Sequence, residues 1–311
     1  MSDSRTLLNQ AARRLAAAGV DTPRLDARVL WEHAQQQILP LKGGGGDPGL
    51  VPGEPEGVMT SPPLAGEELR AAILFESFLA RRLAREPLAA ITGHKEFWSL
   101  DFAVDHNVLI PRPESETIIE QALALLPDRR APLRLLDLGT GSGCLLVALL
   151  KEFPNATGLG VDVSEKALAV AHCNIARYGL AERAELRAGN WGEGLDGPFD
   201  LIVSNPPYIQ TAELAGLAPE LRSEPVTALD GGADGFASIR LLAEAMARLL
   251  SGLGLVEIGA GQGAEAAAIF AKCGMEPLRI AADLAGIPRV LVTRGKGKAT
   301  KKVLESGEGT R

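Results

Sequence analysis

From Leu133 onward, short apolar runs alternate with amphipathic helical stretches, and this alternation limits the fold more than any other feature of the chain. Strands are expected at Arg134–Leu138, Gly158–Val161, Ala184–Ala188, Asp200–Ser204, Leu253–Ile258, Pro277–Ala281 and Arg289–Thr293. Helices are expected over 144–152, 165–178, 234–250 and 262–273. Such repetition predicts an α/β, doubly wound sheet that binds ligands at the carboxyl ends of its strands. The last two runs have no helix between them and are expected to pair as an antiparallel edge. Residues 209–233 are too long for an ordinary connection and are expected to form a lid or a partner-binding surface.

Upstream the pattern is different. Leu7, Leu8, Ala11, Leu15 and Ala18 recur at helical spacing, with a stop at Gly19. Thr22 as N-cap and Pro23 in the first turn restart a helix, whose apolar face is expected to carry Leu25, Val29, Leu30, Ala34 and Ile38. Residues 42–66 hold the glycine run Gly43 to Gly46 and several prolines, so a mobile insertion is expected there. Helix resumes at about Glu67 and runs to Leu83. Phe97–Val104 and Val108–Ile110 flank the turn signal Asp105-His106-Asn107, which predicts a β-hairpin. The expected organisation is a small helical domain over 1–86, a β-hairpin linker over 87–113, an α/β domain over 114–294 and a disordered tail over 295–311.

The net charge of −7 argues against a nonspecific nucleic-acid binder, which carries a basic stripe. The apolar runs are far shorter than a membrane span, and the polar start does not read as a signal peptide. Cys144, Cys173 and Cys273 show no metal pattern and read as reduced, buried thiols, which points to a cytoplasmic protein. The four histidines fit no ligand spacing.

Three motifs carry chemistry. Asp137-Leu138-Gly139-Thr140-Gly141-Ser142-Gly143 follows a strand and opens a helix, the setting of a nucleotide-binding loop. Its spacing is G-x-G-x-G, with Cys144 where a dinucleotide loop has its last glycine, so an adenosine ligand with an amino acid tail fits better than a pyrophosphate. Asp162, at the end of the second strand, is expected to accept bonds from ribose hydroxyls. Asn190 and Trp191, after the third strand, can read an adenine edge and cover its face. The third motif is Asn205-Pro206-Pro207-Tyr208, after the fourth strand. The prolines stop both ladder and helix. What is left exposed is an amide oxygen, free carbonyls and a ring, parts suited to holding a planar NH2 group. With a cofactor at strands one and two, that NH2 group becomes a nucleophile and the cofactor supplies the electrophile.

These residues resemble the S-adenosylmethionine-dependent methyltransferases of the N-P-P-Y type, and within them the HemK/PrmC family of release factor glutamine methyltransferases. The resemblance extends to Phe97-Trp98, to Asn107-Val108-Leu109-Ile110-Pro111-Arg112-Pro113-Glu114 and to Leu229-Asp230-Gly231-Gly232-Ala233-Asp234-Gly235. It implies a Rossmann-like seven-stranded methyltransferase sheet and an N-terminal helical domain that recognises substrate. It also implies an enzyme that methylates the glutamine N5 in the Gly-Gly-Gln motif of class 1 peptide-chain release factors, leaving S-adenosylhomocysteine. Cofactor contacts carried over are Gly139, Thr140, Gly141, Ser142, Gly143, Asp162, Asn190, Trp191 and Asn205. Substrate contacts are Asn205, Pro206, Pro207 and Tyr208, with Asn205, Pro206 and Tyr208 catalytic and no metal. Ser115 replaces the family's usual threonine and keeps its hydroxyl, whereas Asn190 replaces an aspartate and loses a charge. Phe97 and Arg112 to Glu114 are expected to help close the cofactor pocket. A monomer with a protein substrate, no membrane and no direct nucleic-acid contact is expected. Rival readings are a ribosomal-protein glutamine methyltransferase, a nucleic-acid adenine N6 methyltransferase and a noncatalytic cofactor-binding adaptor.

Overall fold

The computed structural model describes residues 4–38 and 65–295. The insertion expected over 42–66, apart from its last two residues, and the tail beyond Gly295 lie outside the described residues. The chain divides into two compact units, 1–92 and 93–311.

The first unit contains α1 (Ser4–Ala17), α2 (Pro23–Gln36), α3 (Ala65–Leu83) and the short α4 (Leu88–Thr92). Gly19 ends the first helix in the left-handed region at φ 76°, which an L side chain adopts only under strain. Leu15, Leu30, Phe75 and Leu79 are fully buried between the helices. Leu25, expected on the buried face of α2, is 46% exposed. The buried face instead carries Asp26, Ala27, Leu30 and Ala34. The cause is an ion pair: Arg82 Nε donates to Asp26 Oδ2 at 2.7 Å, with both side chains almost fully buried. The Thr22 hydroxyl donates to the other Asp26 oxygen at 2.6 Å. Thr22 precedes the helix as expected, but its side chain makes no cap bond.

The second unit opens with β1 (His94–Phe97) and β2 (Leu100–Ala103), an antiparallel hairpin whose two-residue turn is Trp98-Ser99. The turn expected at 105–107 is displaced. Trp98 and Ser99 take φ of 52° and 56°, the primed turn that matches strand twist. Carboxylates compensate for the missing glycine: Trp98 N–H donates to Glu116 Oε1 at 2.8 Å and Ser99 N–H to Glu96 Oε1 at 2.6 Å.

A 3-10 turn at Pro113–Ser115 leads into α5 (Glu116–Leu125). There follow β3 (Arg134–Leu138), α6 (Cys144–Glu152), β4 (Thr157–Asp162), α7 (Glu165–Arg177), β5 (Ala184–Ala188) and β6 (Phe199–Ser204). The chain ends in α8 (Ala237–Leu249), β7 (Leu250–Glu257), α9 (Gly263–Lys272), β8 (Glu276–Ala282) and β9 (Pro288–Arg294). The sheet has seven strands in the order β5-β4-β3-β6-β7-β9-β8. The first five of these run parallel, and β9 lies antiparallel to both neighbours. Both faces are covered. Leu135, Leu201 and Leu255 pack under α5, α6 and α7, and the alternate residues Leu136, Ile202 and Val256 under α8 and α9. Strand order reverses about β3, whose neighbours are β4 on one side and β6 on the other. Ligands bind beyond the strand ends at such a switch point.

Candidate functional site

The loop after β3 is shaped by glycine. Gly139, Gly141 and Gly143 have φ of 75°, 54° and 78°, all left-handed. Gly139 N–H and Thr140 N–H both donate to the Val161 carbonyl, at 2.8 and 3.0 Å, folding the loop over the end of β4. The Thr140 hydroxyl donates to Asp137 Oδ2 at 2.7 Å. Asp137 is wholly buried. Burial, against the pull of the Thr140 bond and with help from the Asp162 charge, pushes its carboxyl up to about 7. Asp162 Oδ2 accepts from Gly141 N–H and Oδ1 from Ser164 N–H, both at 2.9 Å. Its carboxylate therefore holds the loop while lining the cavity, with acceptor capacity left on both oxygens.

A cavity of about 400 Å³ opens above this loop. Gly139, Thr140, Gly141 and Ser142 form its floor, and Asp162, Asn190 and Trp191 one wall. A Cβ added to Gly139 would stand 3.7 Å from the Trp191 ring, so the indole lies against bare backbone. Gly143 faces away, and a Cβ there would meet Ala171 Cβ at 3.2 Å. It brings α6 close to α7 and does not line the cavity. The opposite wall is made by Asn107, Leu109, Arg112, Ser115, Asn205 and Pro207.

Asn205 sits where β6 ends beside β3. Ser204 Oγ donates to the Leu138 carbonyl at 2.6 Å, clamping the two strand ends together. The Asn205 side chain donates from Nδ2 to Ser115 Oγ at 2.9 Å. The Ser115 hydroxyl in turn donates to Glu257 Oε2 at 2.5 Å. The other Glu257 oxygen accepts from the Tyr208 hydroxyl at 3.2 Å. Burial pushes the Glu257 carboxyl up to about 7, while its bonds to Ser115 and Tyr208 and the Arg289 charge pull it down and Glu114 pushes it up. Burial, then the Glu257 charge, also raises the Tyr208 phenol, which keeps its proton.

A second cavity of about 210 Å³ adjoins the first through Asn205 and Pro207. Pro206, Tyr208, Leu221, Glu257 and Arg289 line it. Gln262 holds Tyr208 from behind, donating from Nε2 to its carbonyl at 3.0 Å. The span 209–233 contains three short 3-10 turns, and its ends meet beside Tyr208. Ile209 N–H donates to Leu229 O at 3.0 Å and Gly231 N–H to Ile209 O at 2.7 Å. Within the span, Glu224 is buried, accepts from Ile110 N–H at 3.1 Å and pairs with Arg112.

The residues expected to hold cofactor or substrate, Gly143 apart, thus gather at the carboxyl ends of four strands. Two further sequence expectations change. Phe97 is buried in the core, edge-on to Phe102, and does not close the pocket. Cys173 is exposed, and Cys144 and Cys273 are half-buried, so the thiols are not uniformly buried. Glu257 is a site residue not among those expected from sequence, because it reads as one charge inside an apolar strand. Its position at a strand's carboxyl end was the available signal. Among the described residues no cluster of three or more His, Cys, Asp or Glu is placed to hold a metal ion, and no helix is long and apolar enough to cross a membrane.

Comparison with known proteins agrees with this architecture. Residues 120–233 match the family model of the methyltransferase small domain, and residues 6–37 match that of the PrmC N-terminal domain. A release factor glutamine methyltransferase from Rhodospirillum rubrum is 44% identical over 291 residues, covering 93% of this chain and 84% of the relative. One from Caulobacter vibrioides is 42% identical, covering 91% of this chain and 93% of the relative. The catalytic domain of hMettl16, solved with a MAT2A 3'UTR hairpin, superposes with a TM-score of 0.55 at 14% identity, covering 72% of this chain and 83% of that one, a likeness of fold alone. With relatives this similar along almost the whole chain, the protein belongs to the release factor glutamine methyltransferase family.

Proposed function

We propose that this protein transfers the methyl group of S-adenosylmethionine to the side-chain amide nitrogen of a glutamine, with the Gly-Gly-Gln motif of class 1 peptide-chain release factors as its substrate. One observation carries the reading. The Asn205 NH2 group is committed to Ser115, so the Asn205 oxygen is left for an incoming NH2 group. The cofactor fits the site: the left-handed Gly139 and Gly141 leave bare backbone in the floor between the small side chains of Thr140 and Ser142, and a cavity of about 400 Å³ is ample for a nucleoside with a short tail. Gly139 to Ser142 would pass beneath it, Asp162 would hold the ribose and Asn190 with Trp191 the adenine. When bound, it supplies an electrophilic methyl group.

The chain's own residues then work by position. A glutamine amide is a weak nucleophile because its lone pair is shared with the carbonyl. The Asn205 oxygen and the Pro206 carbonyl accept its two N–H bonds, aim the nitrogen and stabilise the positive charge that grows on it. Tyr208 covers the amide plane. The nitrogen becomes far more acidic as it is alkylated, so no base has to act first. Positioning of this kind is worth roughly 7–11 kcal/mol in favourable cases.

Mass spectrometry of a release factor incubated with the protein and labelled S-adenosylmethionine tests the reading. Ribosomal proteins and DNA serve as competing acceptors. A methyl mass on the Gly-Gly-Gln peptide, reduced about 10²- to 10³-fold in Asn205→Ala, is expected. Methylation of DNA or of a ribosomal protein alone, or wild-type turnover by Asn205→Ala, overturns it.

A further inference from the structure

Which way round the Asn205 carboxamide lies decides whether the site works. Its oxygen and nitrogen are nearly the same size, and only hydrogen bonds distinguish the two orientations. With the oxygen toward the cavity it accepts from a substrate NH2. Turned over, it presents its own NH2 and repels it. Among the described residues the side-chain partner of Asn205 is Ser115, a hydroxyl that can either donate or accept. A lone serine therefore leaves both orientations open. Glu257 removes the choice. An ionised carboxylate only accepts, so the single Ser115 proton goes to Glu257 Oε2 at 2.5 Å. Ser115 Oγ is then an acceptor toward Asn205, and Nδ2 must face it.

We propose that Glu257 is a positioning residue which, through the Ser115 hydroxyl, holds the Asn205 carboxamide with its oxygen toward the substrate nitrogen, and which steadies Tyr208 through its hydroxyl. The inference rests on the reading above that Asn205 receives the substrate amide. Geometry supports it from three sides. Ser115 and Glu257 are both buried, so water does not offer an alternative partner. Ser115 stands at the entry to α5, Glu257 at the end of β7 and Asn205 just past β6, so the chain of bonds crosses three elements that the core holds fixed. Both Glu257 oxygens are used, one for each site residue.

The arrangement is directional only while Glu257 is ionised. A protonated carboxyl can donate to Ser115, which frees the serine to donate to Asn205 Oδ1 and turns the amide over. Ser115, Tyr208, Glu114 and Arg289 are the polar and charged groups that face Glu257. Tyr208 keeps its proton, and Arg289 opposes Glu114, so Glu257 governs the response. Its carboxyl titrates at about 7. Catalytic turnover should rise with pH through neutrality.

Two measurements test this. The first needs no substrate: the side-chain NH2 resonances of Asn205, assigned by nitrogen-15 NMR in the full chain. Wild type should show slow proton exchange above neutrality and a shift with a midpoint near neutral pH. Glu257→Gln and Ser115→Ala should each speed exchange about tenfold or more and abolish the pH dependence. Ser115→Thr should restore the protected signal. The second is steady-state methylation of a release factor across pH. Glu257→Gln should lower kcat about 10- to 100-fold, the equivalent of one charge-assisted hydrogen bond, with KM for S-adenosylmethionine within about twofold and a flattened profile. The double variant Glu257→Gln/Ser115→Ala should be no worse than the poorer single, as for two links in series. Unchanged Asn205 resonances in Glu257→Gln, or losses that multiply in the double variant, overturn the inference. If the resonances respond but wild type methylates no glutamine, the proposed function fails and the positioning role stands.

Discussion

The Asn174 side-chain amide bonds both the N–H and the C=O of Ala103, at 2.8 and 3.0 Å. Its Nδ2 also donates to the Ser142 carbonyl at 2.8 Å. One buried residue in α7 therefore joins the hairpin strand β2 to the glycine loop. Asn174→Ala leaves three backbone groups without that partner in a dry site. We expect a stability loss of about 2–4 kcal/mol by urea unfolding and weaker cofactor binding by calorimetry. Unaltered binding with unaltered stability would show that the hairpin and the loop are held independently.

Gly231 is required by backbone contact. A Cβ added there would lie 2.7 Å from Tyr208 Cα and 2.8 Å from the Gly235 carbonyl. Gly231→Ala must push the two chain segments apart and carry Tyr208 with them. The expected cost is about 1–3 kcal/mol in stability, with kcat lost more than cofactor affinity. Steady-state kinetics with calorimetry separates the two effects.

Three of the buried carboxylates, Asp137, Glu224 and Glu257, are raised by burial and give stability a definite pH dependence. Asp137 is pushed up to about 7 from an ordinary 3.8, and Glu257 to about 7 from 4.5, burial being the main cause for each. Between the ordinary value and about 7 the folded state holds more protons than the unfolded state, so stability falls as pH rises across that window. Asp230, Asp234 and Asp283 shift the opposite way, but their effect lies below pH 3.8. Melting temperatures of the ligand-free protein should therefore decline from about pH 5 to about pH 7.5. Glu257→Gln should decline less steeply, and a parallel decline would show that Glu257 does not titrate there.

Asn190 gives a prediction of opposite sign. It is exposed and lines the cavity near Trp191. On the adenine reading it accepts a neutral hydrogen bond where a carboxylate would accept a charge-assisted one. Asn190→Asp should tighten S-adenosylmethionine binding about 3- to 10-fold by calorimetry. Weaker binding would mean that Asn190 does not contact the adenine amino group.

The parts of the molecule legible in the sequence are those encoded by neighbours. The seven strands lie where alternating apolar runs predict them, within a few residues at each end. The loop glycines could be read because three left-handed turns in five residues leave few alternatives to glycine. Asn205 to Tyr208 could be read because two prolines mark an abrupt strand end. Partnerships across the fold were hidden. Asp26 lies on the buried face of α2, in place of the expected Leu25, because Arg82, 56 positions away, pairs with it. The hairpin turn was misplaced because Trp98 and Ser99 carry no turn signature, and the carboxylates that stabilise them are side chains of Glu96 and Glu116. Glu257 ends an apolar strand and Asn174 sits on the buried face of an amphipathic helix, with no partner near either in sequence. Only the sheet order reveals what they face.

The joining of residues 209–211 to 229–232 has an evolutionary consequence. Because the two ends are bonded to each other beside Tyr208, the span closes on itself, and its residues 212–220 line neither cavity, whereas Leu221 and Pro225 to Ala228 do. Each doubling of such a span costs only about 0.6 kcal/mol in closure entropy. Insertions and deletions within 212–220 are expected to leave Asn205 and Tyr208 in place. Glu224, tied to Arg112 and Ile110, sets the limit to that freedom, since it anchors the span to the rim of the cavity. Descendants of this scaffold can therefore alter residues 212–220 without first rebuilding the reaction centre.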